Sequence, residues 1–143
     1  YFSSISQPKR QADHPMTKFN LQLDQLKKAV SRLDEVLNQP KTDIVRDSAI
    51  QRFKFCLDLS WKTLQTHLKE QGGIIANSPK DTFREAYQNG LIDYSDDWIK
   101  LVDLRNETVH TYDETMAENV YRELPQALIR FREIIFSLDK SLR

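Results

Sequence analysis

The sequence predicts an all-α, up-and-down bundle of four to five helices, on three observations. Apolar residues recur three and four apart over several long stretches, which is the period of a helix with one buried face. Pro40, Gly72-Gly73, Ser78-Pro79 and Gly90 punctuate those stretches as helix stops and starts. No alternating apolar and polar run is bounded by hairpin turns, and Ile74-Ile75-Ala76 is too short to build a sheet.

At 143 residues the chain makes one domain, large enough to bury a core without metal or disulfide. Residues 1–15 lack an apolar period and hold two of the five prolines, so they read as an extension or a cloning remnant. Met16 reads as the natural start, and 16–143 as the bundle.

The first helix is expected over Lys18 to Asn38, with Phe19, Leu23, Leu26, Val30, Leu33 and Leu37 as its seam. Pro40 ends it, and Thr42 or Asp43 caps the next. That second helix runs to about Gln71 and buries Ile50, Phe53, Leu57, Trp61, Leu64 and Leu68 on one stripe. Its other face carries Arg46, Arg52, Lys54 and Lys62, which reads first as a solvated face and only second as one that meets phosphate. Trp61 falls on the buried stripe and so reads as core, not as a base-stacking platform.

Ser78-Pro79-Lys80-Asp81 starts a short third helix carrying Phe83, Ala86 and Tyr87, which Gly90 stops. Ser95 is expected to cap a fourth, with Asp96 and Asp97 in its first turn against the positive end of the dipole. A last helix, from about Glu114 to Leu142, shows Val120, Leu124, Leu128, Phe131, Ile135 and Leu138. Pro125 is expected to kink it or divide it in two.

Composition excludes several classes of function. Lys plus Arg equals Asp plus Glu at 21 each, so there is no bulk positive field for general nucleic-acid affinity, and any RNA contact has to be local. The three glycines form neither a G-x-G-x-x-G nor a Walker loop, so the chain is not itself a nucleotidyltransferase of the usual kind. Cys56 is the single cysteine, which rules out an intramolecular disulfide and a cysteine metal cluster. No apolar run approaches the roughly 20 residues of a membrane span, and no signal-peptide core is present. A soluble cytoplasmic protein without a cofactor is the expectation.

The densest set of chemically capable side chains lies in Trp98 to Glu114, W-I-K-L-V-D-L-R-N-E-T-V-H-T-Y-D-E. Ile99, Val102, Asn106 and His110 fall at helical spacing, and Trp98, Leu101, Arg105, Val109 and Tyr112 mark a neighbouring face. His110 carries an imidazole, whose ordinary pKa near 6.5 suits acid or base work near pH 7. On residues alone it reads as a helix-end histidine bonded to a carboxylate such as Asp113. Arg105 can fork two donors onto phosphate oxygens, or else pair with Asp103, Glu107 or Asp113. Asn106, four residues before His110, can fix the imidazole tautomer or simply meet solvent. Tyr112 offers a phenol as nucleophile or acceptor, or an aromatic packed at a helix junction. Asp113, Glu114 and Glu118 look like a metal cluster but also complement a helix N-terminus, and the cap is the preferred reading.

The pattern R-N-x-x-x-H-x-Y resembles the HEPN superfamily motif. With H-T-Y-D-E after R-N, R-F-K-F-C-L-D-L-S-W-K-T-L over Arg52 to Leu64, and G-L-I-D between them, the chain is similar to the branch called nucleotidyltransferase substrate-binding proteins. The likeness covers most of Met16 to Leu142. For toxin members of the superfamily it implies that Arg105 and His110 serve metal-independent RNA cleavage and that Tyr112 is adenylylated by a partner nucleotidyltransferase. It also turns the reading of His110 from structural to functional.

The favoured expectation is therefore a binding subunit that presents Arg105, Asn106, His110 and Tyr112 to a separately encoded minimal nucleotidyltransferase or to its nucleotide, ATP. The alternative is a toxin-like endoribonuclease, with His110 as general base on the ribose 2'-hydroxyl and Arg105 stabilising the transition state. A structural bundle with an inactive site is the third. On one straight helix Arg105 and His110 lie about 140° apart around the axis and about 7.5 Å apart along it, so they do not converge. A distortion near Thr108-Val109 or the reach of the arginine would bring them together. So would a two-fold homodimer with the fourth helix near its axis.

Overall fold

The computed structural model describes residues 17–93 and 95–142, so the 1–15 extension and Met16 lie outside the described residues. Five α-helices follow in order: α1 (Lys18–Leu37), α2 (Asp43–Gly72), α3 (Pro79–Gln88), α4 (Asp97–Glu107) and α5 (Glu114–Ser141). No strand occurs among the described residues.

The termini follow from local chemistry. Thr17 Oγ1 accepts from the Asn20 N–H at 3.1 Å and Thr42 Oγ1 from Val45 at 3.1 Å, each satisfying a donor that the first turn leaves unpaired. At the end of α2 Gly73 has φ 66°, and the Gly73 and Ile74 N–H groups bond back to Lys69 and Leu68. This is the left-handed closure that glycine permits. Ser78 Oγ accepts from Asp81 ahead of α3, and Gly90, at φ 76°, follows it. At α4 the capping bond is displaced: Asp96 occupies the cap position, while Ser95 Oγ accepts from the Asp97 N–H at 3.1 Å.

α2 is the central element, packed against α1, α3, α4 and α5. Its position explains why it is buried beyond one stripe: Arg46, Ala49, Cys56, Ser60, Thr63 and His67 are buried along with Ile50, Phe53, Leu57, Leu64 and Leu68. Ser60 and Thr63 are tolerated because their hydroxyls donate to the Cys56 and Leu59 carbonyls, at 2.7 and 2.6 Å. Phe53 meets Phe131 of α5 with ring centroids 6.0 Å apart, and Phe83 of α3 stacks on Trp98 of α4 at 5.4 Å. Burial pushes the Cys56 thiol up to about 12, so it stays protonated and inert.

Four expectations change. Leu37, Trp61 and Ile135 are half-buried against the core, and Val36 and Ile134 are the buried members of their turns. Pro125 does not divide the last helix, which is continuous from Glu114 to Ser141. The proline is exposed, so the carbonyl that lacks its N–H partner can turn to water. Arg46 is not on a solvated face at all, being only 2% exposed. Its guanidinium holds Glu114 at 2.6 Å and Glu118 at 2.9 Å, with Asp47 at 3.0 Å. Those carboxylates hold its pKa well above the ordinary arginine range.

His67 is buried against Phe19, ring centroids 4.8 Å apart, and burial lowers its pKa below the ordinary histidine value despite Glu70 nearby. A histidine whose folded pKa is depressed contributes stability that is present above the unfolded value near 6.5 and is lost as pH falls through the folded value. We expect the urea midpoint to drop between pH 7.5 and 5.5, and to drop less in His67→Gln. An equal drop in both proteins would remove His67 as the cause.

Candidate functional site

The motif straddles the end of α4. The helix stops at Glu107 because Thr108 turns its hydroxyl back onto the Arg105 carbonyl at 2.6 Å, and Thr108–His110 continue as one 3-10 turn. Thr111 Oγ1 repeats the move onto the Thr108 carbonyl at 2.9 Å, and the Asp113 N–H closes onto the His110 carbonyl at 3.1 Å. Asp113 then caps α5, its Oδ1 accepting from Thr115 at 2.8 Å and Met116 at 3.2 Å. Two helix ends are thus joined by a turn whose backbone groups are largely satisfied.

Side chains along this segment go different ways. Thr108, 4% exposed, is the buried anchor. Arg105 crosses to α2 and forks onto Asp58, Nε to Oδ1 at 3.3 Å and Nη2 to Oδ2 at 3.1 Å. It therefore does form an ion pair, but with none of the neighbours expected: Asp103 pairs with Lys80 at 2.8 Å, and Asp113 is the cap. His110 and Asn106 are exposed, and among the described residues neither side chain hydrogen-bonds the other. The expectation that Asn106 sets the imidazole tautomer rested on one unbroken helix, and the 3-10 turn breaks it. Tyr112 is 84% exposed, with its ring edge-on to the His110 ring at 6.2 Å.

The distortion anticipated near Thr108-Val109 is present, yet it does not bring Arg105 to His110, because Asp58 holds the guanidinium. His110 is not bonded to Asp113, whose carboxylate is spent on the α5 cap. Glu114 and Glu118 are likewise taken, by Arg46, and Glu118 also by Lys41. Lys41 first, and then Arg46, hold the Glu118 carboxyl below its ordinary range. No group of side chains able to hold a metal occurs among the described residues. No helix there is long and apolar enough to cross a membrane.

Asp58 is the residue that sequence reasoning left without a role. A lone carboxylate inside the apolar block from Phe53 to Leu64, on a helix that must be packed, signals that a cation from another element meets it.

Comparison with known proteins points one way. The profile of the family described as "Nucleotidyltransferase substrate binding protein like" matches residues 21–140. A Haemophilus influenzae protein named "Probable ribonuclease HepT" is 38% identical over 94 residues, which span 60% of this chain and 64% of that protein. A solved Haemophilus influenzae structure, described as revealing the fold of a substrate binding domain of a nucleotidyltransferase, is 31% identical with a TM-score of 0.74. The match covers 82% of this chain and 98% of that one. A structure from Thermus thermophilus gives 33% identity and a TM-score of 0.69 over the same shares.

Asp58 and Arg105 both reach water, with side chains 36% and 27% exposed, so their pair contributes little to stability. Asp58→Asn should cost less than about 1 kcal/mol in urea unfolding. It should nonetheless shift the amide resonances of Thr108 to His110, because the freed guanidinium leaves α2. Unchanged resonances there would mean that Asp58 does not position the arginine.

Proposed function

Because the chain belongs to the nucleotidyltransferase substrate-binding family, the HEPN branch to which its motif pointed, we propose that it is the binding partner of a separately encoded minimal nucleotidyltransferase and that Tyr112 is the hydroxyl it presents. The observation that carries this reading is the exposure of Tyr112, 84%, on a turn fixed at both ends. An acceptor for a second enzyme has to be accessible, and this phenol is, on a backbone turn closed by its own hydrogen bonds. ATP supplies the transferred group, and in this reading His110, whose ring lies edge-on to that of Tyr112, is the base that takes the phenolic proton.

After co-expression with the nucleotidyltransferase encoded beside it, intact-mass spectrometry should show an added AMP that is absent from Tyr112→Phe. Labelling that persists in Tyr112→Phe would place the acceptor elsewhere.

The second reading, a metal-independent ribonuclease, draws support from the likeness to the protein named as a probable ribonuclease and from the exposure of His110. Within one chain Arg105 faces Asp58, so this reading favours a homodimer in which Arg105 of one protomer serves beside His110 of the other. The second imidazole then supplies the acid that transphosphorylation needs beside its base. On structured RNA in EDTA, Arg105→Ala and His110→Ala should each lose activity about a hundredfold or more. Activity regained on mixing the two variants would establish a site shared between protomers. Wild-type cleavage by His110→Ala, or a purely monomeric protein in light scattering, would end this reading.

A further inference from the structure

The motif turn borders a groove that the reading above leaves unused. Asp47, Ile50, Gln51 and Lys54 of α2 form one wall and Thr108, Thr111 and Tyr112 the other, around a volume of about 250 Å³. Ile50, 4% exposed, makes an apolar floor. Half of the polar side chains in the groove are committed. Asp47 accepts from Arg46 Nε at 3.0 Å, and the Thr108 and Thr111 hydroxyls donate to backbone carbonyls at 2.6 and 2.9 Å.

Lys54 differs from every other cation near the turn. Arg46 is held by Glu114 and Glu118, Lys41 by Glu118, and Arg105 by Asp58. Lys54 is half-buried, and among the described residues its ammonium has neither a carboxylate nor a hydrogen-bond partner. An ammonium in a groove without a carboxylate of its own is available to an anionic ligand.

We propose that this groove seats the phosphate of an adenosine nucleotide, with Lys54 as its counter-charge beside the Tyr112 hydroxyl. The inference rests on Tyr112 being the acceptor and adds the residue that receives what is transferred. In the transfer, the phenolic oxygen forms a bond to the α-phosphorus of ATP. The bond to the oxygen bridging the α- and β-phosphorus breaks, pyrophosphate leaves with that electron pair, and the phenolic proton passes to a base or to water. The product is a phosphodiester with one negative charge, which matches the single uncommitted cation in the groove. An RNA backbone would bring several phosphates past the carboxylates of Asp47 and Glu114, and its affinity depends on many cations, so a single nucleotide is the better fit.

The test uses AMP as probe, titrated into the purified chain and followed by amide resonances. In the wild type the Thr111 and Tyr112 amides should shift. Lys54→Gln should weaken the apparent Kd about fivefold or more, as expected for the loss of one partly exposed charge-assisted bond. Lys54→Arg should keep it within about twofold, since either side chain supplies the positive charge. Lys54→Gln should fold normally, because the ammonium makes no structural contact. On protein adenylylated at Tyr112, the phosphorus resonance of the tyrosyl phosphodiester should move in Lys54→Gln and not in Lys54→Arg. Equal AMP binding by wild type and Lys54→Gln, no AMP binding, or Lys54-dependent shifts with an oligoribonucleotide but not with AMP would each overturn the inference, whatever the labelling of Tyr112 shows. Lys54-dependent AMP binding in a protein that never acquires AMP on Tyr112 would keep the groove and remove the acceptor reading.

Discussion

One buried guanidinium decides where the last helix begins. Arg46 sits on α2 near its start, only 2% exposed, and holds Glu114 and Glu118 of the first turns of α5. A guanidinium this deep is stable only while its donors are filled, so the carboxylates cannot drift without leaving a charge uncompensated. Glu114 also lies in the first turn, at the positive end of the α5 dipole, which favours it there twice over. Because Asp113 caps that helix, fixing its start also fixes the exit of the motif turn. Its entry is fixed by the second contact with α2, Arg105 on Asp58.

The segment between those two attachments is short, and its chemistry follows from that. From Thr108 to Asp113 the chain closes hydrogen bonds on itself at nearly every step, and buries Thr108 to do so. A tight turn of this kind cannot turn every side chain inward, so Val109, His110 and Tyr112 face solvent, while the backbone that carries them is held. A site presented on a rigid frame loses little conformational entropy when it is engaged, which suits a surface meant for another protein or its nucleotide. The cost of exposing Val109 and Tyr112 is a local apolar patch at the position where a partner would arrive.

The sequence made the helices legible because each is written twice, once in the three-and-four period and once in its caps. Thr42, Ser78-Pro79, Gly73 and Asp113 act where their chemistry said they would. Burial was less legible where a helix has more than one neighbour. α2 packs on four others, so His67 is inside although it lies off the single apolar stripe, while Arg46, four residues before Ile50, continues that stripe as a buried charge. The motif residues could be listed from sequence, but their arrangement could not. Whether α4 continued through Thr108 depended on a threonine hydroxyl choosing a carbonyl three residues back, and the partner of Arg105 lay 47 residues away on another helix. Local candidates such as Asp103 were plausible for Arg105 until Lys80 claimed that acid. At Pro125 the expected division does not occur, since the residue faces water and the helix runs on through it.

The zero net charge acquires a structural meaning from these pairings. It is the sum of many local cancellations: Lys27 with Asp139, Arg132 with Asp34, Arg130 with Asp97 and Glu133, and the Arg46 cluster. In Arg130 the two acids, Glu133 first, hold the guanidinium above its ordinary range, so these charges are bound to one another. A surface built this way exerts little field beyond a Debye length and does not gather polyanions from solution. Recognition then depends on contact at the few groups left uncommitted, and among the described residues near the motif these include the Tyr112 phenol, the His110 imidazole and the Lys54 ammonium. One free cation in the groove is little for gripping a polynucleotide by charge and enough for meeting one phosphate. That balance is why the proposed reading favours a nucleotide exchanged with a partner over a nucleic acid drawn in by a general field.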